Sequence, residues 1–314
     1  MEKKILFAIP SLYRDDFRIT GYSFGRGQKA ACVVGSLRGN ENQQLYVCAK
    51  LVEALQQLEA EGRIVPGKEI MVVPSANPSS MNIKKRFWSI DNTDINRMFP
   101  GYDQGETTQR IANGLFKAIQ DFEFGIQFAS FYMPGHFMPH ARIMRIGDEA
   151  NQEMLDLAKE FGLPYVISHD PRPYDTATLN YNWQVWDTKA FSLYTTSTNE
   201  VDKKSAEQAV VATLNFLSKQ GLIHYHSHDG YISQVVKSRD IVTVRAGVGG
   251  FLDGHVQAGD HVRKGQTLAE IIHAYEGHVM GELVAPVSGT VLFARNENKT
   301  YQDTAVFKLI LDMV

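Results

Sequence analysis

Cysteine is scarce in this sequence. Cys32 and Cys48 are the two cysteines among 314 residues, and they do not form a C-x-x-C pair. So small a number excludes a disulfide framework and a cysteine-rich metal site. A protein of a reducing compartment carries such residues as two free thiols rather than as a disulfide, and we expect that state here.

Long apolar runs and an excess of one charge are also missing. The net charge is −3 and the pI is about 6.4, which gives no electrostatic footprint for nucleic acid or an anionic membrane. No stretch approaches the ~20 apolar residues of a membrane span. The N-terminal run ILFAIP follows a basic start, but it is short and contains Pro10, unlike a signal peptide. We therefore expect a cytoplasmic protein without a nucleic-acid or membrane partner.

The first two-thirds of the chain alternates strand-like and helix-like segments. Short apolar runs such as AACVVGSL and EIMVVPSANP are typical of buried strands. Longer segments such as NQQLYVCAKLVEALQQLEAEG have helical spacing and end at glycine. This alternation predicts an α/β domain over residues 1–229, with helices flanking a sheet.

The pattern changes in residues 230–314, where short β-rich segments alternate with turn signals such as AGD, RKGQ and PVSG. This predicts a small all-β, barrel-like module. Its segments VQAGDHVRKGQTLAEI and VAPVSGTVLFA resemble the half-repeats of lipoyl and biotinyl barrels. The stretch between them, HAYEGHVMGELVAP, has no lysine, so the module cannot serve as a swinging carrier arm.

Three segments of the first domain carry a family resemblance. They are GSLRGNENQQ (35–44), PSANPSSMNIKKRFWSIDNTDINRMFPG (74–101) and FGIQFASFYMPGHFMPHARI (124–143). Their order and spacing resemble the succinylglutamate desuccinylase/aspartoacylase family, in which HG(N/D)E, NP…R…D.NR.FPG and a strand ending in D-x-H follow one another. The resemblance implies a zinc-carboxypeptidase-like mixed sheet flanked by helices. It also implies a zinc-dependent deacylase as the family activity.

The resemblance assigns a substrate-binding role to three residues. Arg86 falls at the position of the arginine that polarises the scissile carbonyl, and Asn96 and Arg97 fall on the pair that grips a substrate carboxylate. The expected partner is a small carboxylate-bearing molecule, such as an N-acyl amino acid. A purely structural role, with Asp91 or Asp94 neutralising one of these arginines, stays open.

The metal-binding positions of the family are substituted. Glu41 is retained, but Arg38 stands at the first histidine position and Ala129 at the second, while Thr195 stands at the position of the general-base glutamate. One carboxylate does not hold zinc, and a guanidinium has no lone pair to donate. We expect no zinc at the family site. We also expect the Arg38 guanidinium to enter the metal space and pair with Glu41.

Other histidines offer alternative ligands. His136 and His140 could form a displaced metal site with Glu41, although the neighbouring prolines exclude a helix there. His224, His226 and His228 alternate before the second domain and are read as a linker or as strand histidines. The Tyr- and Trp-rich segment 169–188 could line a pocket or pack on the sheet.

Three functions are compatible with these features. The first is a catalytically degenerate family member that keeps a pocket for a carboxylate-bearing molecule. The second is an active zinc-dependent deacylase of N-acyl amino acids with a rebuilt metal site. The third is a structural or interaction subunit. Self-association into a homo-oligomer is compatible with all three.

Overall fold

The computed structural model describes residues 1–13, 15–146, 151–226 and 230–312. The chain forms two compact units. The first contains Met1–Ser130 and His140–Gln234, and the second contains Phe131–Pro139 and Val235–Val314. No sequence pattern indicated that the short segment 131–139 belongs to the second unit.

The helices and strands up to Lys219 are as follows. The strands are β1 (Glu2–Ile9), β2 (Phe17–Gly25), β3 (Gly27–Ser36), β4 (Gly67–Ser75), β5 (Phe124–Ala129), β6 (His136–Phe137, in the second unit), β7 (His140–Met144), β8 (Tyr165–His169) and β9 (Lys189–Tyr194). The helices are α1 (Asn42–Ala60), α2 (Pro78–Asn82), α3 (Thr107–Ile119), α4 (Asn151–Lys159), α5 (Leu179–Val185) and α6 (Lys203–Lys219).

The strands of the first unit form one mixed sheet in the order β1-β2-β4-β3-β5-β9-β7-β8. Strand β3 runs parallel to β4 and β5, β5 runs parallel to β9, and β7 runs antiparallel to β9. All six residues of β5 are buried, as expected for a central strand covered on both faces. The predicted mixed α/β fold is therefore confirmed.

Helix α1 shows how sequence spacing produces burial. Its buried side chains recur at intervals of three and four residues: Gln43, Gln44, Val47, Cys48, Leu51, Leu55 and Leu58. Such a stripe seats one face of a helix against a sheet. The spacing of Leu45, Ala49, Val52 and Leu55 correctly indicated a helix, but Ala49 is exposed, so the packed face is rotated from that stripe.

The sheet order brings three strand ends together. Strands β3, β5 and β9 are adjacent and parallel, so their carboxyl ends lie at one edge. Those ends lead into residues 37–41, Ser130 and Thr195. Open α/β sheets present functional side chains at this edge, because the loops there leave the strands at the same level.

The second unit is built from antiparallel sheets. The strands of these sheets are β11 (Ile241–Arg245), β12 (Gly250–Gly254), β13 (His261–Val262), β14 (Thr267–Ile272), β15 (Val279–Val284), β16 (Gly289–Ala294), β17 (Lys299–Thr300) and β18 (Ala305–Leu311). Strand β10 (Gln234–Lys237) begins at the end of the first unit and belongs to neither of them. One sheet has the order β11-β18-β16-β13, with β6 also paired to β16, and the other has the order β15-β14-β12-β17. The predicted all-β character of the C-terminal region is confirmed. Among the described helices of the whole chain, none is long and apolar enough to cross a membrane.

A pair of leucines tests the packing of α1. Leu55 is fully buried, whereas Leu12 is 91% exposed. We expect Leu55→Ala to lower the free energy of unfolding by about 2–5 kcal/mol, because it leaves a cavity in the core. Leu12→Ala should change it by no more than about 0.5 kcal/mol. Urea unfolding of both variants measures the difference, and equal effects would contradict this packing.

Candidate functional site

A buried ion pair lies at the carboxyl end of β3. The Arg38 guanidinium donates through Nη1 to Oε1 of Glu41 at 3.1 Å. Arg38 is 5% exposed and Glu41 is 2% exposed. Two opposite charges buried together compensate each other, whereas either one alone would be costly. The expected contact between Arg38 and Glu41 is confirmed.

The Glu41 carboxylate is saturated with donors. Its Oε2 accepts hydrogen bonds from the backbone N–H groups of Leu37, at 2.8 Å, and Arg38, at 3.0 Å. Its Oε1 accepts from the Ser130 hydroxyl as well as from the Arg38 guanidinium. Four donors therefore converge on two oxygens, and both oxygens are engaged within the protein.

Asp94 is the second partner of Arg38. Nε and Nη2 of the guanidinium lie 3.1 and 2.8 Å from the Asp94 carboxylate, in a fork that only arginine provides. Asp94 also accepts the backbone N–H of Asn96 at 3.0 Å and so holds the short 3-10 helix Ile95–Arg97. The sequence suggested Asp91 or Asp94 as a partner for Arg86 or Arg97. Instead, Asp94 pairs with Arg38.

Asp91, unlike Asp94, forms no ion pair with an arginine of the described residues. It accepts hydrogen bonds from the Thr108 hydroxyl at 3.2 Å and from the Thr93 backbone at 2.9 Å. Asp91 thus belongs to the turn before the 3-10 helix.

The two carboxylates fix the charge of Arg38. Burial alone would lower the pKa of its guanidinium, but Glu41 and Asp94 raise that pKa above its ordinary value. The side chain therefore stays cationic whenever the protein is folded.

These residues do not fit the family's zinc. A catalytic zinc site needs three protein ligands with free lone pairs. Here the first position holds a guanidinium, the second holds the methyl group of Ala129, and the oxygens of Glu41 already accept four hydrogen bonds. The donor set is that of a buried ion pair, so no step of a reaction is assigned to a metal at this place.

A polar pocket of about 390 Å³, including the solvent at its mouth, lies beside the pair. Arg38, Ala129 and Ser130 line one part of it, together with the predicted binding residues Asn96 and Arg97. The structure thus brings four of the residues singled out by the family motifs, Arg38, Asn96, Arg97 and Ala129, to one cavity. Arg86 and Thr195 do not line it.

Asn96 and Arg97 differ in how freely they can bind a ligand. The Asn96 side chain accepts the backbone N–H of Leu179 through Oδ1 at 3.0 Å, which leaves its Nδ2 without a partner among the described residues. Arg97 donates to the Asn96 carbonyl at 2.9 Å and lies over the Tyr174 ring, 5.9 Å from its centroid. No described acidic side chain lies within ion-pair distance of Arg97. The pair therefore offers unused donors to an anion.

Arg86 is half-buried next to this site. Its backbone carbonyl accepts the N–H of Gly39 at 2.9 Å, and its guanidinium lies 5.5 Å from the Phe87 ring centroid. Burial and the nearby positive charge of Arg38 lower the pKa of Arg86, in spite of Glu41 and Asp94. Since no described acid forms an ion pair with Arg86, the site keeps an excess of positive charge.

Arg142 and Tyr194 complete the pocket and were not predicted. The Arg142 guanidinium lies 5.1 Å from the centroid of the Tyr194 ring, and its Nε is buried without a hydrogen-bond partner among the described residues. The Tyr194 ring also stacks on His140 at 4.6 Å. Burial raises the pKa of Tyr194, so its phenol is protonated at neutral pH. The sequence feature that could have indicated a role for Arg142 is its position as a charged residue in the middle of the apolar strand HARIM.

Asp175 is the pocket's own acid. Its Oδ2 accepts the backbone N–H of Arg172 at 2.9 Å and lies 3.1 Å from His169 Nε2. Burial would raise the pKa of Asp175, but these two contacts and the charge of Arg142 lower it overall. Asp175 is therefore ionised at neutral pH.

The predicted general-base position carries no acid. Thr195 is buried directly after β9, and its hydroxyl donates to the Ser197 carbonyl at 3.1 Å. A threonine hydroxyl used in this way holds the loop and does not take a proton from water.

The alternative histidine ligands His136 and His140 fall in different units. His136 is exposed on β6 in the second unit, whereas His140 is fully buried in β7 of the first unit. Potential metal-ligand groups in the described part of the chain include neither residue, nor Glu41. His224 and His226 lie outside any strand, and His228 falls outside the described residues.

The sequence left open whether the aromatic segment 169–188 lines a pocket or packs on the sheet, and the segment does both. Asp175, Thr178 and Asn180 from this segment line the pocket. Trp183 is instead fully buried in the core, and its ring N–H donates to the Ile119 carbonyl at 3.2 Å. The polar residues of the segment, rather than its tryptophans, form the pocket wall.

Comparison with known families identifies the family of this chain. A family model for the succinylglutamate desuccinylase/aspartoacylase catalytic domain matches residues 27–219. The match covers more than half of the chain, so the chain belongs to this family. Succinylglutamate desuccinylase of a Silicibacter species has a similar structure, with a TM-score of 0.85 and 18% identity over 99% of this chain and 94% of that one.

Further relatives show the same fold. A succinylglutamate desuccinylase/aspartoacylase of Rhodobacter sphaeroides has a TM-score of 0.80 and 20% identity, covering 95% of this chain and 90% of that one. The product-bound ectoine utilization protein EutE of Ruegeria pomeroyi has a TM-score of 0.79 and 20% identity, over 94% and 90%. Among curated proteins, the N-alpha-acetyl-L-2,4-diaminobutyric acid deacetylase of Halomonas elongata is 26% identical over 139 residues. That match spans 44% of this chain and 39% of the relative's length.

Removal of Arg38 tests the buried pair. We expect Arg38→Ala to lower the free energy of unfolding by about 3–5 kcal/mol, because Glu41 becomes an uncompensated buried charge. The control is Arg18→Ala, which breaks an exposed pair with Asp16 and should cost at most about 1 kcal/mol. Adding Glu41→Gln to Arg38→Ala should recover part of the loss. If Arg38→Ala cost no more than Arg18→Ala in urea unfolding, the pair would not have the role described.

Proposed function

We propose that this family member binds a small carboxylate-bearing molecule of the N-acyl amino acid type and does not hydrolyse it. The observation that carries the proposal is the Arg38 guanidinium on Glu41, 3.1 Å from its Oε1, beside a pocket with unpaired arginines. The hydrolytic half of the family site is replaced, and the binding half is retained.

The argument against hydrolysis rests on side-chain chemistry. The family reaction needs a Lewis acid that activates water and a base that takes its proton. Arg38 and Ala129 supply no metal ligands, and Thr195 supplies no base. Asp175 is an acid in the pocket, but its lowered pKa makes it a weak base at neutral pH. No side chain in the pocket both activates a water molecule and takes its proton.

The argument for an anionic ligand rests on charge. Arg38 is compensated by Glu41 and Asp94, whereas Arg97 and Arg142 face the pocket without an ion-pair partner among the described residues. Asp175 offsets only part of that charge. A ligand carboxylate could accept from Arg97 and from Nδ2 of Asn96 together, as a charge-assisted pair of hydrogen bonds.

The ligand class follows from the relatives as well as from the pocket. The deacetylase of Halomonas elongata acts on an N-acetylated amino acid. A pocket that keeps carboxylate-binding residues on the same scaffold suits the same class of molecule. The cytoplasmic location, self-association, and lack of a nucleic-acid or membrane partner stay predictions from the sequence.

Ligand-dependent stabilisation tests the binding proposal. A ligand that binds the folded state at 100 times its Kd adds about 2.7 kcal/mol to the free energy of unfolding. We expect some members of a panel of N-acetyl amino acids, succinate and glutarate to raise the Tm without being cleaved. Arg97→Ala should weaken binding by about 10- to 100-fold, because it removes a charge-assisted hydrogen bond.

Arg110→Ala is the matched control, since Arg110 is exposed on α3 and does not line the pocket. Chromatography shows whether any panel member is cleaved. Cleavage would contradict the proposed lack of hydrolysis. Equal binding by the Arg97→Ala and Arg110→Ala variants would place the ligand elsewhere.

Restoring the family's ligands tests the replacement directly. The double variant Arg38→His, Ala129→His places two imidazoles beside Glu41, which is a three-ligand zinc set. We expect it to bind one more equivalent of zinc per chain than the unsubstituted protein, because the guanidinium no longer occupies the carboxylate. Equilibrium dialysis of both proteins measures the difference in bound zinc per chain. Zinc bound elsewhere is present in both proteins and cancels from that difference. An unchanged zinc content in a folded double variant would contradict the proposed cause of metal loss.

A further inference from the structure

A second candidate site lies in the hairpin that joins β14 to β15. The turn is closed by a hydrogen bond from the His273 N–H to the His278 carbonyl at 2.8 Å and by another from Gly277 N–H to the His273 carbonyl at 3.1 Å. Gly277 has φ = +73°, a conformation that favours glycine. This backbone places His273 and His278 opposite each other across the turn.

The side chains of the turn converge on one side. The rings of His273 and His278 stack with centroids 5.0 Å apart and planes only 8° from parallel. Together with Glu276 they offer three ligand atoms that all lie within 4.8 Å of one another. Two imidazoles and a carboxylate are a ligand set that zinc and neighbouring transition metals prefer.

The hydrogen bonds show which atoms are available. Nδ1 of His273 accepts the backbone N–H groups of Tyr275 at 3.4 Å and of Glu276 at 3.0 Å, so Nε2 is the ring nitrogen without a hydrogen bond among the described residues. Nδ1 of His278 lies 3.3 Å from Oε2 of Glu276, so the imidazole and the carboxylate face each other. Both groups are ligands for divalent transition metals.

We propose that His273, Glu276 and His278 bind one divalent transition-metal ion, with water in the remaining coordination positions. Neighbouring ligands of a tetrahedral zinc lie roughly 3.4 Å apart, since each Zn–N bond is about 2.1 Å. Since their ligand atoms lie within 4.8 Å of one another, the three side chains need to close by at most about 1.4 Å. His278 and Glu276 are 56% and 70% exposed, so their side chains are free to rotate into place.

A second group in the same unit provides an internal comparison. Asp253, His255 and Glu270 also lie within ligand distance of one another, on β12, just after it, and on β14. This group has one imidazole and two carboxylates, a weaker set for zinc. It therefore serves as the control for non-specific binding by exposed acids and histidines.

The hairpin site is independent of the proposed pocket. It shares no residue with Arg38, Glu41 or the cavity next to them. It also means that zinc found in the purified protein is not by itself evidence for the family site.

Zinc titration of the full chain tests the proposal. We expect isothermal titration calorimetry with zinc chloride to show one saturable site per chain. His273→Ala and His278→Ala should each weaken it by more than about 100-fold, since the loss of a ligand exceeds the loss of an outer-shell partner. His255→Ala should leave it unchanged. Cobalt should give the visible absorption of a coordinated ion, and this signal should disappear in His278→Ala.

Circular dichroism shows whether each variant is folded, which an exposed turn should allow. The proposal is overturned if the unsubstituted protein has no saturable zinc site, or if His273→Ala and His278→Ala bind as it does. Loss of the site in His255→Ala alone would move the metal to the control group. None of these results depends on whether the pocket binds a carboxylate.

Discussion

The buried pair of Arg38 and Glu41 is the constraint on which the rest of the candidate site depends. A carboxylate that is 2% exposed must be compensated by a metal, by protons or by a cation. Here a guanidinium three residues away compensates it, and Asp94 in turn compensates the guanidinium. Because these charges compensate one another, the Glu41 oxygens that would face a metal already accept hydrogen bonds. The neighbouring cavity is lined by Arg97 and Arg142 as well as by Arg38.

The fold explains why these groups meet. Parallel strands β3, β5 and β9 end at one edge of the sheet, so Arg38, Ser130 and Thr195 leave the sheet side by side. Strand β7 runs antiparallel next to β9 and brings Arg142 to the same edge. The 3-10 helix that Asp94 caps delivers Asn96 and Arg97. A hydrolase scaffold can therefore retain its anion-binding geometry when its metal ligands change, because different elements supply the two sets of residues.

Local motifs made part of this site predictable. The spacing of Arg38 and Glu41 places both on one turn, so their contact follows from the sequence. The family motif singled out Asn96 and Arg97 as a predicted carboxylate-binding pair, and both residues line the pocket. The role of Asp94 was missed, because its partner lies 56 residues away along the chain. Arg142 was missed for a similar reason, since the order of strands in the sheet is not written in any local pattern.

The central claim is that a guanidinium, and not a metal, compensates Glu41. Anomalous diffraction at the zinc edge, from crystals grown with excess zinc, tests this most directly. The account predicts no anomalous peak within about 3 Å of the Glu41 carboxylate, which spans the usual zinc–ligand distances. The Arg38 guanidinium should occupy that space in the electron density. A zinc peak bound to Glu41, with Arg38 turned away, would contradict it.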